Sequence, residues 1–228
     1  MNTLILFDID RTLMESRLKP STYKQAFTFA IKQVYGLSTE VDRIHHYNMT
    51  DKQILFELLK LYGLDENQVK ARMDECTKVM VGYFRENVPP DEFQVLPGAR
   101  QLLLKLEEKD ALLGVETGNL EPIAWQKLEL TGLKGFFSFG GFGSDGPSRT
   151  EVVRIALKRA EKFGFKRGRV FLVGDTTMDV QAGKAAKARV IAVATGKTSY
   201  EDLEKAGADY VLENLEDTTK VVSLLLGE

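Results

Sequence analysis

Apolar positions fall into two rhythms along the chain. Leu4-Ile5-Leu6-Phe7 is an unbroken apolar run that ends on Asp8-Ile9-Asp10-Arg11-Thr12, which suits a buried strand of a parallel sheet better than a helix. Beyond Thr12 the spacing turns helical as far as residue 92. Pro20-Ser21-Thr22 opens a stretch with Ala26, Phe27, Ala30, Ile31 and Val34 on one face, and Gly36 is placed to end it. Thr50-Asp51 caps a second stretch through Ile54, Leu55, Leu58 and Leu59, stopped by Gly63. Asp65-Glu66 opens a third, broken by Pro89-Pro90. No strand pattern interrupts these helices, so residues 14–92 read as an all-helical insertion.

From Pro97 onward strands alternate with helices. The expected strands are 111–115, 136–139 (short and aromatic), 169–173, 190–194 and an edge strand at 210–212. The intervening helices are 98–106, 122–132, 149–163, 178–186 and 200–206, with a closing helix through Val221, Val222 and Leu225. Such alternation implies a parallel sheet covered on both faces. The expected fold class is therefore α/β, a Rossmann-like parallel sheet built from residues 1–13 and 93–228, interrupted by a helical domain at 14–92.

Composition narrows the partners. With 228 residues, 43% hydrophobic and 28% charged, the chain is an ordinary globular protein. A net charge of −2 gives no electrostatic reason to expect nucleic acid or an anionic membrane. The single cysteine, Cys76, excludes an internal disulfide and a thiolate zinc site. Neither a secretory signal nor a run of 18 apolar residues is visible, so a cytoplasmic location is expected. Oligomeric state stays open between monomer and homodimer.

The candidate chemistry collects at strand ends, where ligands bind in open α/β sheets. Asp8 and Asp10 are close enough to repel, and a buried pair would need a cation to stay ionised; alone, the pattern also fits a polar turn. The strand ending at Val115 runs into Glu116-Thr117-Gly118-Asn119, a hydroxyl and an open backbone N–H suited to a phosphate oxygen, or a simple Gly-Asn turn. The strand ending at Val173 runs into Gly174-Asp175-Thr176-Thr177-Met178-Asp179. Asp179 could merely favour the start of a helix, whereas Asp175 is harder to explain structurally. Acids at two strand ends fit Mg²⁺, which takes few carboxylates, waters and phosphate oxygens. Arg149 stands at a helix start, the wrong end for a cation unless an anion is near; the alternative is a surface arginine.

Together these clusters resemble, in order and spacing, the haloacid dehalogenase-like (HAD) hydrolase superfamily over nearly the whole chain. Asp8, Asp10 and Thr12 match its first motif, Thr117 its second, Arg149 its third, and Asp175 with Asp179 its fourth. The helical block resembles the C1-type cap of phosphoglycolate phosphatase-like and beta-phosphoglucomutase-like members. Arg11 and Lys187 depart from the family, which usually has glycine at both positions. At Arg11 the turn could be shaped differently, or the guanidinium could reach an anion.

The resemblance implies a Mg²⁺-dependent phosphatase for a small phosphorylated metabolite, working through an aspartyl-phosphate. Asp8 would be the nucleophile and Asp10 the acid and base. Asp8, the Asp10 carbonyl and Asp175 would hold Mg²⁺, while Asp179 would hold a metal-bound water or orient Arg149. Thr117, Gly118 and Arg149 would clamp the transferred oxygens, with Asn119 and Thr12 in support. The cap would choose the leaving group through the stretch 45–51, so His46, Asn48 and Thr50 join Arg11 as candidate substrate contacts. The histidine pair 45–46 is read as surface before metal. A sugar phosphomutase shares all four motifs. A 2-haloacid dehalogenase lacks the second aspartate, a phosphonatase needs a cap lysine that neither Lys19 nor Lys24 is marked out to be, and a silent binding protein would not need the clustered acids.

Overall fold

The computed structural model describes residues 3–47, 49–109, 111–166 and 168–227. Its main sheet has six strands in the order β5-β4-β1-β6-β7-β8, all pairings parallel: β1 (Thr3–Phe7), β4 (Leu112–Glu116), β5 (Gly140–Gly141), β6 (Arg169–Gly174), β7 (Arg189–Val193) and β8 (Tyr210–Leu212). The expected α/β class with a parallel sheet is what the chain adopts.

β1 lies in the middle of the sheet because both of its faces are apolar. Leu4 and Leu6 pack with Val153, Ala156, Ala160 and Ala182, which belong to the helices α6 (Arg149–Ala160) and α7 (Thr177–Ala185). Ile5 and Phe7 point the other way, to Leu102, Leu103 and Leu106 of α4 (Ala99–Glu107), Ile123 and Ala124 of α5 (Glu121–Leu130), and Val221 and Leu225 of α9 (Thr218–Leu226). Each such fully buried side chain contributes about 1.5–3 kcal/mol. The central strand is thus held from both sides, and its carboxyl end is a rigid place from which to present Asp8. On the β7–β8 side, Leu203 of α8 (Tyr200–Ala206) packs against Val190 and Ala192.

Among the described residues three α-helices fall between Ser16 and Phe93: α1 (Thr22–Tyr35), α2 (Asp51–Lys60) and α3 (Glu66–Asn87). Their starts carry the caps that the sequence suggests. Ser21 accepts from Lys24 N, and Thr50 and Asp65 form capping boxes with Gln53 and Gln68. Gly36 ends α1 at φ 71°, in the left-handed region. The apolar faces, among them Phe27, Ile31, Leu55, Leu58, Met80 and Phe84, merge into the same cluster as one face of the main sheet. Cys76 is buried in that cluster.

Two expectations fail. Strands do bound the helical block: β2 (Met14–Ser16) and β3 (Phe93–Val95) pair antiparallel, and Arg17 N extends the ribbon to Glu92 O at 2.8 Å. Three residues are too few for an alternation to be read. Residues 136–139 are not a strand either. A 3-10 turn covers Lys134–Phe136, and the edge strand is Gly140–Gly141. Two glycines have poor strand propensity, but a Cβ at Gly141 would lie 2.0 Å from the Val152 carbonyl of α6. The packing of α6 across this edge admits only glycine.

Candidate active site

The ends of β1, β4 and β6 meet at one cleft of about 1390 Å³, which Asp8, Asp10, Arg11, Thr117, Gly118, Asn119, Arg149 and Asp175 all line. Asp8 follows β1 directly, and its N–H donates to Val173 O at 2.9 Å, continuing the ladder with β6. The nucleophile candidate is therefore as fixed as the sheet.

Around it the chain gathers charge. Arg149, on the first turn of α6, is 7% exposed. Its Nη2 donates to Asp8 Oδ1 (2.9 Å), Glu116 Oε1 (3.1 Å) and Asp179 Oδ1. Three carboxylates account for a cation at the unfavourable end of a helix. Asp179 also closes a capping box with Thr176 at the start of α7, so it serves both the helix and the guanidinium. Glycines seat these groups: a Cβ on Gly174 would lie 2.6 Å from the Asp179 carboxylate, and one on Gly196 would lie 1.7 Å from Asp175 Oδ2.

Carboxylate oxygens of Asp8, Asp175 and Asp179 lie within 4.8 Å of one another, all buried. Burial pushes Asp8 up to about 7, an effect that Arg149 opposes and that Asp179 and Asp10 reinforce. Asp175 is raised well above the carboxylate range by burial and then by Asp8 and Asp179; Glu116 is raised by burial against the pull of Arg149. One guanidinium does not offset four buried acids. An all-oxygen set of converging carboxylates suits a hard divalent cation such as Mg²⁺, which would relieve the repulsion.

Asp10 faces differently. Its carboxylate accepts from Lys127 Nζ (2.9 and 2.7 Å to the two oxygens) and from Asn119 Nδ2 at 2.8 Å. Asn119 Nδ2 also donates to Thr117 Oγ1 at 3.1 Å. Asp10 is thus turned toward the Thr117–Asn119 side of the cleft, and its side chain is outside the cluster formed by Asp8, Asp175 and Asp179. Polar atoms buried without a hydrogen-bond partner among the described residues include Thr12 Oγ1, Glu116 Oε2, Asn119 Oδ1 and Arg149 Nε. Asn119 and Arg149, which line the cleft, keep donor or acceptor capacity in reserve.

The remaining candidates separate. Arg11 adopts φ 64°, the left-handed conformation that glycine takes most easily, so the turn keeps its shape. Its carbonyl accepts from Thr195 Oγ1, and its guanidinium lies 5.5 Å from the centre of the Tyr47 ring. Lys187 likewise sits at φ 59°. His46 lines the cleft, and burial lowers its pKa. Thr50 does not line it: fully buried, its hydroxyl accepts from Gln53 N to cap α2. Gly118 has the helical block pressed against it, and a Cβ there would lie 2.7 Å from Met49 O. Asn48 lies outside the described residues.

Two residues that bear on the site, Lys127 and Tyr23, were not picked out from the sequence, and Glu116 and Asp51 were read only as members of the stretches 116–119 and 45–51. Lys127 gave a signal, since it occupies an apolar register of α5 between Ala124 and Leu128.

The parallel sheet thus brings acids at the ends of two neighbouring strands and a buried arginine between them into one site. The model of the haloacid dehalogenase-like hydrolase family matches residues 5–193, and the chain belongs to that family of enzymes. It is 28% identical to a phosphoglycolate phosphatase of Synechococcus elongatus, over 97% of this chain and 98% of that protein. It is 26% identical to the pyrophosphatase PpaX of Oceanobacillus iheyensis, over 96% and 95%. Among solved structures, a predicted phosphatase from Clostridium acetobutylicum superposes with a TM-score of 0.73 at 20% identity, covering 98% of this chain and 99% of that one; it shares the fold.

Proposed function

We propose that this protein is a Mg²⁺-dependent phosphatase that hydrolyses a small phosphorylated metabolite through an aspartyl-phosphate on Asp8. The observation that carries the reading is Asp8 itself, a buried carboxylate at the end of the central strand, open to the cleft and bonded to Arg149 at 2.9 Å. The family membership and the phosphatases among its relatives support it.

In the first half-reaction an Asp8 carboxylate oxygen attacks phosphorus as the bond to the leaving oxygen breaks, and Asp10 gives its proton to that oxygen. In the second, Asp10 takes a proton from water, whose oxygen attacks phosphorus. The bond to Asp8 then breaks, releasing inorganic phosphate and restoring both carboxyl groups. Mg²⁺, held by Asp8, the Asp10 carbonyl and Asp175, would supply the positive charge that lets one anion approach another. Arg149 fixes Asp8 and Asp179, and with Thr117 Oγ1 and the Gly118 N–H it forms the donor wall for the transferred oxygens.

Residues 14–92 act as a cap on a core of 1–13 and 93–228. Arg11 and His46, at the mouth of the cleft, contact the leaving group. Phosphate release from p-nitrophenyl phosphate, with and without Mg²⁺, tests the reading. Metal-dependent turnover that vanishes in Asp8→Asn is expected, and turnover that survives this substitution would overturn it.

A further inference from the structure

Lysine is almost never fully buried without a partner, yet Lys127 is 1% exposed in the middle of α5. Its ammonium donates to both oxygens of Asp10 and to no other described side chain, and it lies against two aromatic rings. The Tyr23 ring centre lies 4.0 Å away and that of Phe93 5.5 Å away, distances at which a ring face attracts a cation. Tyr23 is in turn held by the core. Its hydroxyl donates to Asp51, whose carboxylate accepts from Leu120 N (2.7 Å) and whose own N–H donates to Gly118 O (2.8 Å).

We propose that Lys127 is a positioning residue for Asp10. It holds the carboxylate against Asn119 on the Thr117 side of the cleft, and the ring of Tyr23 from the helical block completes its seat. This inference rests on the phosphatase reading, in which Asp10 carries the proton to and from the substrate. Asp10 has a 37% exposed side chain with two anchoring donors, Lys127 and Asn119. Without Lys127 the carboxyl group keeps one donor and can turn toward solvent, so fewer encounters have the proton in place. The aromatic face matters because a bare ammonium in an apolar pocket would be expelled toward water; with Tyr23 over it, the charge stays on Asp10.

An acid that misses its position penalises poor leaving groups and spares good ones. The test therefore compares an alkyl phosphate, glycerol 3-phosphate, with p-nitrophenyl phosphate, using wild type, Lys127→Met, Asp10→Asn and the double variant. Expected for Lys127→Met is a fall in kcat/KM, which reports the first half-reaction alone, on the order of 10²-fold on the alkyl ester, with at least about tenfold less effect on the aryl ester. In the Asp10→Asn background Lys127→Met should cost nothing further, because the two act as a unit. Tyr23→Leu, which leaves Lys127 in place, should show the same larger loss on the alkyl ester at smaller size and serves if Lys127→Met does not fold. Equal losses on both esters, full additivity with Asp10→Asn, or wild-type turnover would overturn the proposal. Wild-type protein that releases phosphate from neither ester overturns the phosphatase reading and this inference with it; turnover of p-nitrophenyl phosphate lost in Asp8→Asn keeps the two separable.

Discussion

The two carboxylates that flank Ile9 live in different worlds. Asp8 is held by the sheet and the helices that follow its strands: β1 carries it, Val173 of β6 accepts from its N–H, and Arg149 ties it to Glu116 and Asp179. Its surroundings are buried and come entirely from strand ends and the starts of α6 and α7. Asp10, two residues on, is held by Lys127 and Asn119, and Lys127 in turn rests on Tyr23 of the helical block. A nucleophile needs a fixed line of attack, which the most rigid part of the fold supplies. An acid and base must work as substrate enters and leaves, so its support is shared with the element that covers the cleft. Separate anchorage lets one short turn present two aspartates with distinct tasks.

The comparison can be broken first on the Asp8 side. Arg149→Met would leave Asp8, Glu116 and Asp179 buried together without their cation, so stability should fall by about 3–5 kcal/mol, as when a buried ion pair loses one partner. Urea denaturation measures this, and Glu116→Gln in the same chain should restore part of the loss. On the other side, Asp10→Asn removes the proton carrier and should lower kcat by about 10²–10⁴-fold, in steady-state assays of phosphate release, while the hydrogen bonds of Asp8 to Arg149 and Val173 stay in place.

The seam between the two regions has its own signature in pH. Burial pushes Asp51 up to about 7 from an ordinary 3.8, against the pull of the bonds from Tyr23 and Leu120. The folded protein therefore binds this proton more tightly than the unfolded chain does. Its contribution to stability is complete below about pH 4 and declines as pH rises toward 7, by up to about 1.4 kcal/mol per pH unit. Comparing wild type with Asp51→Asn in urea melts between pH 4 and 7 isolates this group: the variant should lack that part of the slope.

Smaller effects sharpen the account. Thr50→Ala removes the hydroxyl that caps α2 where the helical block meets Gly118, and should cost about 1 kcal/mol in thermal or urea unfolding. Lys187→Gly relieves a left-handed backbone worth roughly 1 kcal/mol, part of which the greater freedom of glycine in the unfolded chain takes back. A net gain of a few tenths of a kcal/mol is expected.

What could be read from the sequence follows the same division. The alternation of strands and helices and the acids at strand ends were legible because apolar runs and the polar residues after them are local patterns. Arg149 declared itself by standing at the wrong end of a helix. Asn119 was legible beside Asp10, but Lys127 and Tyr23 were not, because they stand 104 residues apart and meet only through tertiary packing. Arg11 and Lys187 taught a further point: neither is glycine, yet both adopt a glycine-like φ. The short edge strand was expected at 136–139 rather than Gly140–Gly141 for the opposite reason, since the role of these glycines is set by the close approach of α6.

The central claim is that Asp8 becomes covalently phosphorylated during turnover. Acid quenching of the protein with p-nitrophenyl phosphate and Mg²⁺, followed by peptide mass spectrometry, tests it directly. The account predicts a phosphorylated peptide containing Asp8, absent from Asp8→Asn. Phosphate on another residue, or steady turnover with Asp8 never modified even in Asp10→Asn, where the second half-reaction is slowed, would contradict it.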